Sequence, residues 1–74
     1  LKPKLGVGAM VKYKYSDEFG IVLEVVRDYI NDLYARKMYW FTSARAGGSI
    51  IVQDNLGFLQ NDCEILLDSD DGFE

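Results

Sequence analysis

Residues 11–26 constrain this chain more than any other stretch. Val11, Tyr13 and Tyr15 alternate with Lys12 and Lys14, then comes the polar segment Ser16-Asp17-Glu18-Phe19-Gly20, then Ile21-Val22-Leu23-Glu24-Val25-Val26. Alternation of apolar and polar residues is the period of a half-buried strand. The polar segment has turn chemistry, with Gly20 expected to supply positive φ. The β-branched run after it predicts a central strand covered on both sides. Strand, turn and strand in sixteen residues point to a small β domain.

Chain length limits what can stabilise such a domain. In 74 residues only about 60% of the unfolded surface can be buried. Domains of this size often rely on disulfides, a metal or a partner subunit. Cys63 is the only cysteine and there is no histidine. Neither an intrachain disulfide nor a structural zinc site can be built, and no cofactor motif is present. Self-association is the staple left open. A hydrophobic fraction of 49%, including five Tyr, four Phe and one Trp, is generous for so small an interior. It predicts that another chain covers part of the surface.

Further along, residues 24–38 allow two readings. Val25, Val26, Tyr29, Ile30, Leu33, Tyr34 and Met38 fit helical spacing. The stretch also reads as a hairpin turning at Asn31-Asp32, with a second arm Tyr34 to Thr42, and the strand formers in 38–42 favour the hairpin. Residues 43–49 form a small-residue loop with Gly47-Gly48. Residues 49–53 are a short apolar strand, 54–57 a turn, 58–60 a connector with one 3₁₀ turn, and 63–67 a last strand. The barrel domain spans residues 1–67. Residues 68–74 are an acidic tail expected to fray.

Gly8-x-x-Val11, Phe19-Gly20-Ile21-Val22-x-Glu24-Val25, Met38-x-Trp40 and Asp62-Cys63-Glu64-Ile65-Leu66 together resemble the layout of small SH3-like barrel proteins. Many of these come from tailed bacteriophages, and KOW domains share the opening Gly-Ile-Val element. The resemblance covers most of residues 5–67. It implies an all-β, five-stranded, closed SH3-like barrel with a binding role, and it implies no reaction. The loop over 42–49 is longer than the phage-type pattern has.

Chemistry is sparsely supplied. With no histidine, Ser43, Ser49 and Cys63 lack a base partner, and Cys63 reads as a core residue. Gly6-x-Gly8 lacks the third glycine of a dinucleotide fingerprint. Asp68-Ser69-Asp70-Asp71-Gly72 has the wrong spacing for a calcium loop. We therefore expect no catalytic, cofactor or metal residues and no enzymatic activity.

Two binding readings remain. Tyr15, Phe19, Tyr39, Trp40 and Phe41 are candidates for contact with a protein partner or a second copy. Both phases of the Tyr34–Phe41 strand are apolar, so the pattern leaves open which one faces inward. The alternative is a KOW-like nucleic-acid surface of Lys12, Lys14, Arg36, Lys37 and Arg45, with tyrosines to stack on bases. All eight basic residues fall within residues 2–45, against five acids there, while residues 46–74 carry seven acids and no base. The overall charge of −4 opposes phosphate binding. No run of apolar residues approaches a membrane span. With a lone thiol this suggests a cytoplasmic or virion setting rather than a secreted one.

Overall fold

The computed structural model describes residues 2–28, 33–42 and 49–73. The expected turn at Asn31-Asp32, the loop over 43–48 with Gly47-Gly48, and Glu74 lie outside the described residues. Five antiparallel strands form one sheet: β1 (Met10–Tyr13), β2 (Glu18–Asp28), β3 (Leu33–Thr42), β4 (Ile50–Asn55) and β5 (Cys63–Leu67). A short helix, α1 (Leu56–Asn61), joins β4 to β5. The strand order is β4-β3-β2-β1-β5. The fold is therefore all-β, as the alternation predicts. The sheet does not close on itself: β4 and β5 are its two edges.

Residues 24–28 and 33–38 are paired strands, with Glu24 opposite Lys37 and Asp28 opposite Leu33, not a helix. The β-branched run outweighs the helical spacing because both arms gain cross-strand partners. Leu23 falls at a register shift between Val22 and Glu24 and is 42% exposed. One extra residue there exchanges inward and outward positions along β2. The outer face of this central strand is thus left partly open, contrary to expectation.

Gly20 also departs from its expected role. It lies within β2, opposite Trp40, rather than ending the turn. A Cβ on Gly20 would stand 2.9 Å from Met38 Cε and 3.0 Å from the Trp40 ring. The glycine lets the β3 side chains approach the β2 backbone closely. The turn contracts to residues 14–17, and β1 ends at Tyr13. Beyond it the Lys14 N–H donates to the Asp62 carbonyl at 3.1 Å.

The connector before β5 is an α-helical turn rather than a 3₁₀ turn. Asn55 caps it, its side-chain oxygen accepting the Phe58 N–H at 2.8 Å. This cap turns the predicted 54–57 turn into the end of β4 and the start of α1. Leu59 of α1 is fully buried and joins Val11, Val22, Met38, Trp40 and Cys63 in one core. Leu5, Ala9 and the helix cover the end that the open sheet leaves exposed.

The acidic tail does not fray over residues 68–73. The Gly6 N–H donates to the Ser69 carbonyl at 2.7 Å, and the Val7 N–H to the Asp71 carbonyl at 2.8 Å. The Asp68 carboxylate accepts the Leu5 N–H at 2.8 Å and the Lys4 N–H at 3.1 Å. A Cβ on Gly6 would fall 2.2 Å from the Asp71 carbonyl oxygen, so only glycine admits the tail so closely. Leu5 has φ of 55°, an uncommon conformation for a branched residue. Full burial of its side chain and hydrogen bonds at both its N–H and its carbonyl hold it there.

Candidate binding groove around Trp40

The alternation along β3 determines what each strand face offers. Arg36, Met38 and Trp40 are buried; Lys37 is exposed, and Tyr39 and Phe41 are half-buried. The phase left open by the sequence is thereby assigned: Met38 and Trp40 face the core. The expected contact residues divide between two faces. Trp40, 6% exposed, belongs to the concave side. Phe19, Tyr39 and Phe41 lie together on the outer side, Phe19 and Phe41 stacked with ring centroids 5.8 Å apart and Tyr39 5.9 Å from Phe41. Tyr15 follows β1 in the turn. It is 74% exposed and touches Tyr13 edge-on at 5.3 Å.

On the concave side Trp40 floors a groove of about 270 Å³. Tyr13 and Phe58 form one wall, Ile50 and Val52 the other. Phe58 lies 5.7 Å from Tyr13 and 6.2 Å from Trp40, so a continuous aromatic row runs from Tyr15 to the indole. Ile50 is 57% exposed and Val52 37%. The groove occupies the gap between the β4 edge and the β1–α1 side.

Two carboxylates line this apolar groove. The Trp40 Nε1–H donates to Asp54 Oδ2 at 2.7 Å, which fixes both side chains. The Ser16 hydroxyl donates to Glu18 Oε1 at 3.0 Å. Glu18 is opposite Thr42 and Asp54 opposite Arg36, so along β3 the two acids bracket Trp40. An apolar slot with two acceptors and no cation among its described lining residues suits a partner's apolar side chain next to an ammonium or guanidinium group.

Among the described residues, the expected basic residues are not gathered into one patch. Lys12 Nζ donates to the Tyr13 and Ser16 carbonyls, at 3.1 and 2.8 Å, and holds the turn. Lys14 Nζ donates to the Asn61 carbonyl at 2.8 Å, at the C-terminal end of α1. Arg36 is only 2% exposed. Its Nε donates to the Leu5 carbonyl at 2.6 Å and its Nη2 to the Lys4 carbonyl at 2.8 Å, so it anchors the leader instead of meeting solvent. Lys37 is exposed, opposite Glu24. Arg45 lies outside the described residues.

Comparison with known protein families, with characterised proteins and with solved structures finds no match.

Other features have structural explanations. A depression of about 700 Å³ over Lys4, Asp68 and Ser69 is the seam where leader and tail are hydrogen-bonded. Burial, helped by nearby Asp54 and Asp62, pushes the Cys63 thiol up to about 11, so at neutral pH it stays a protonated core group. Among the described residues no cluster of three or more His, Cys, Asp or Glu could hold a metal ion, and no helix is long and apolar enough to cross a membrane. Of the groove residues, sequence reasoning named Trp40 as a contact and Tyr13 only as a base-stacking tyrosine, and it missed Glu18, Ile50, Val52, Asp54 and Phe58. The available signal was Asn55 at cap position before Leu56 to Leu59, which brings Phe58 round onto Trp40.

Proposed function

We propose that this chain is a non-enzymatic binding or assembly module of the SH3-like barrel kind, recognising a protein segment that offers a basic side chain beside an apolar one. One observation carries the reading: an apolar groove floored by Trp40 and bracketed by Glu18 and Asp54. The SH3-like assignment draws support from five short antiparallel strands, from β1 lying between β2 and β5, and from α1 covering the open end. The phage-type affinity and a cytoplasmic or virion setting belong to the same proposal and rest on the sequence resemblance.

Selection of displayed random peptides on the immobilised chain tests this. Enriched peptides should share Lys or Arg next to an aliphatic or aromatic residue. Their binding should fall at least tenfold in Glu18→Lys, a loss of about 1.4 kcal/mol. Convergent peptides that lack a basic residue, or that bind Glu18→Lys equally well, would remove the groove as the site.

A further inference from the structure

The groove uses one side of β4; the strand's free edge has a use of its own. Among the described residues β4 pairs only with β3, so its other side is an edge of the sheet. Along this edge Ile50, Ile51 and Val52 are 57%, 59% and 37% exposed. From Ser49 to Gln53 the strand has no charge and no proline. Edges of monomeric sheets are commonly guarded by lysine, proline, a bulge or a cover. The register of β4 with β3 is regular, so the segment has no lysine, proline or bulge, and no described strand covers its edge.

We propose that this edge pairs with the same edge of a second copy, antiparallel about a two-fold axis through Ile51. Parity and charge lead to that register. Ile50 and Val52 lie opposite Trp40 and Met38 and share the concave face, whereas Ile51 lies opposite Tyr39 on the outer face. Opposed residues of an antiparallel pair point to the same side, so a sheet that continues into the second copy must pair residues of equal parity. Centring on Ile51 sets Ile51 against Ile51 of the second copy and Ile50 against its Val52. Gln53 then meets Ser49, and every contact in the strip is neutral. Centring on Val52 would press Ile50 against Asp54, and centring on Ile50 would match Ile51 to Ser49. Only the Ile51 register gives all three aliphatic residues aliphatic partners. The second copy's Val52 would also extend the groove wall beside Ile50.

This rests on the assembly reading and names its partner; the substituted positions, Ile51 and Gln53, are not among the groove residues, so the two tests fail separately. Sedimentation equilibrium of the full chain should give twice its mass of 8.4 kDa. Ile51→Lys should return the mass to that of one chain, with circular dichroism unchanged, since this side chain is already more than half exposed. Glu18→Lys should leave the dimer intact. Oxidation of Ile51→Cys should form a covalent dimer readily, because opposed Cα atoms in an antiparallel pair are about 4.5–5.5 Å apart, within disulfide range. Gln53→Cys, four positions out of register with itself, should not. A chain that stays monomeric to millimolar concentration, a dimer that survives Ile51→Lys, or cross-linking through Gln53→Cys in preference would each overturn the proposal. Peptide binding is read separately, through Glu18→Lys, so failure of the dimer leaves the groove reading standing.

Discussion

Arg36 shows how much one side chain can hold. Its guanidinium reaches the backbone of the leader, and the Phe73 ring lies 5.4 Å from its Cζ. Burial lowers its pKa from the ordinary value, yet it remains charged at neutral pH and its N–H groups are directed at the Lys4 and Leu5 carbonyls. Replacing it with methionine keeps the unbranched apolar stem and strands two acceptors. Each buried unsatisfied group costs roughly 1–3 kcal/mol, so Arg36→Met should lose about 2–6 kcal/mol in urea unfolding. Arg36→Lys should recover only part, because one ammonium cannot reproduce the fork. The basic dipeptide Arg36-Lys37 reads as a surface pair in the sequence. Nothing near it in the chain reveals that carbonyls some thirty residues earlier need donors. Cys63 was legible, since a lone cysteine on an apolar strand belongs in a core. Its thiol pKa is raised by folding from 9.0 to about 11. The folded state therefore holds its proton more tightly, and the stability this confers is complete below pH 9 and lost as pH rises towards 11. Unfolding midpoints should fall across that window, and Cys63→Ala should fall less steeply over it.

At the scale of elements, strand existence was easier to read than strand orientation. The hairpin of β2 and β3 follows from β-branched and aromatic residues. Its inward phase does not, because Tyr39 and Phe41 are as apolar as Met38 and Trp40. The decision comes from outside the hairpin: Leu59 of α1, Leu5 of the leader and the irregularity at Leu23 make one side the interior. The hydrogen bonding of the acidic tail was hidden for a related reason. Composition marks residues 68–74 as solvated, but the backbone groups of Ser69 and Asp71 complete a ladder with Gly6 and Val7. Asp68 is the charged element of that seam. Hydrogen bonds from Leu5 first, and from Lys4 as well, hold its carboxyl below the ordinary value of 3.8. Its contribution is thus present above pH 3.8 and lost as pH falls through the lower folded value. Asp68→Ala should lower the unfolding midpoint at pH 7, and the difference from the native chain should shrink in strong acid. A difference that is constant down to pH 2 would show that the carboxylate charge contributes nothing there.

For the whole molecule, the all-β architecture was legible because alternation and turn chemistry are local. Closure into a barrel was not. Whether two distant edges meet depends on strand coiling and on what fills the end, and here α1 and the leader fill it. The groove was equally hidden, since Tyr13, Trp40, Asp54 and Phe58 are brought together by β1, β3, β4 and α1. The seam between leader and tail has one more consequence, for synthesis. Leu5 and Asp68 are 63 positions apart and hydrogen-bonded. Leu5 leaves the ribosome among the first residues of this segment, yet its seat is completed by Asp68 and Ser69, among the last. A nascent chain must therefore carry this core residue uncovered until almost the whole segment has been made. A product that stops short of residue 68 lacks the clasp that holds Leu5 in its unusual conformation.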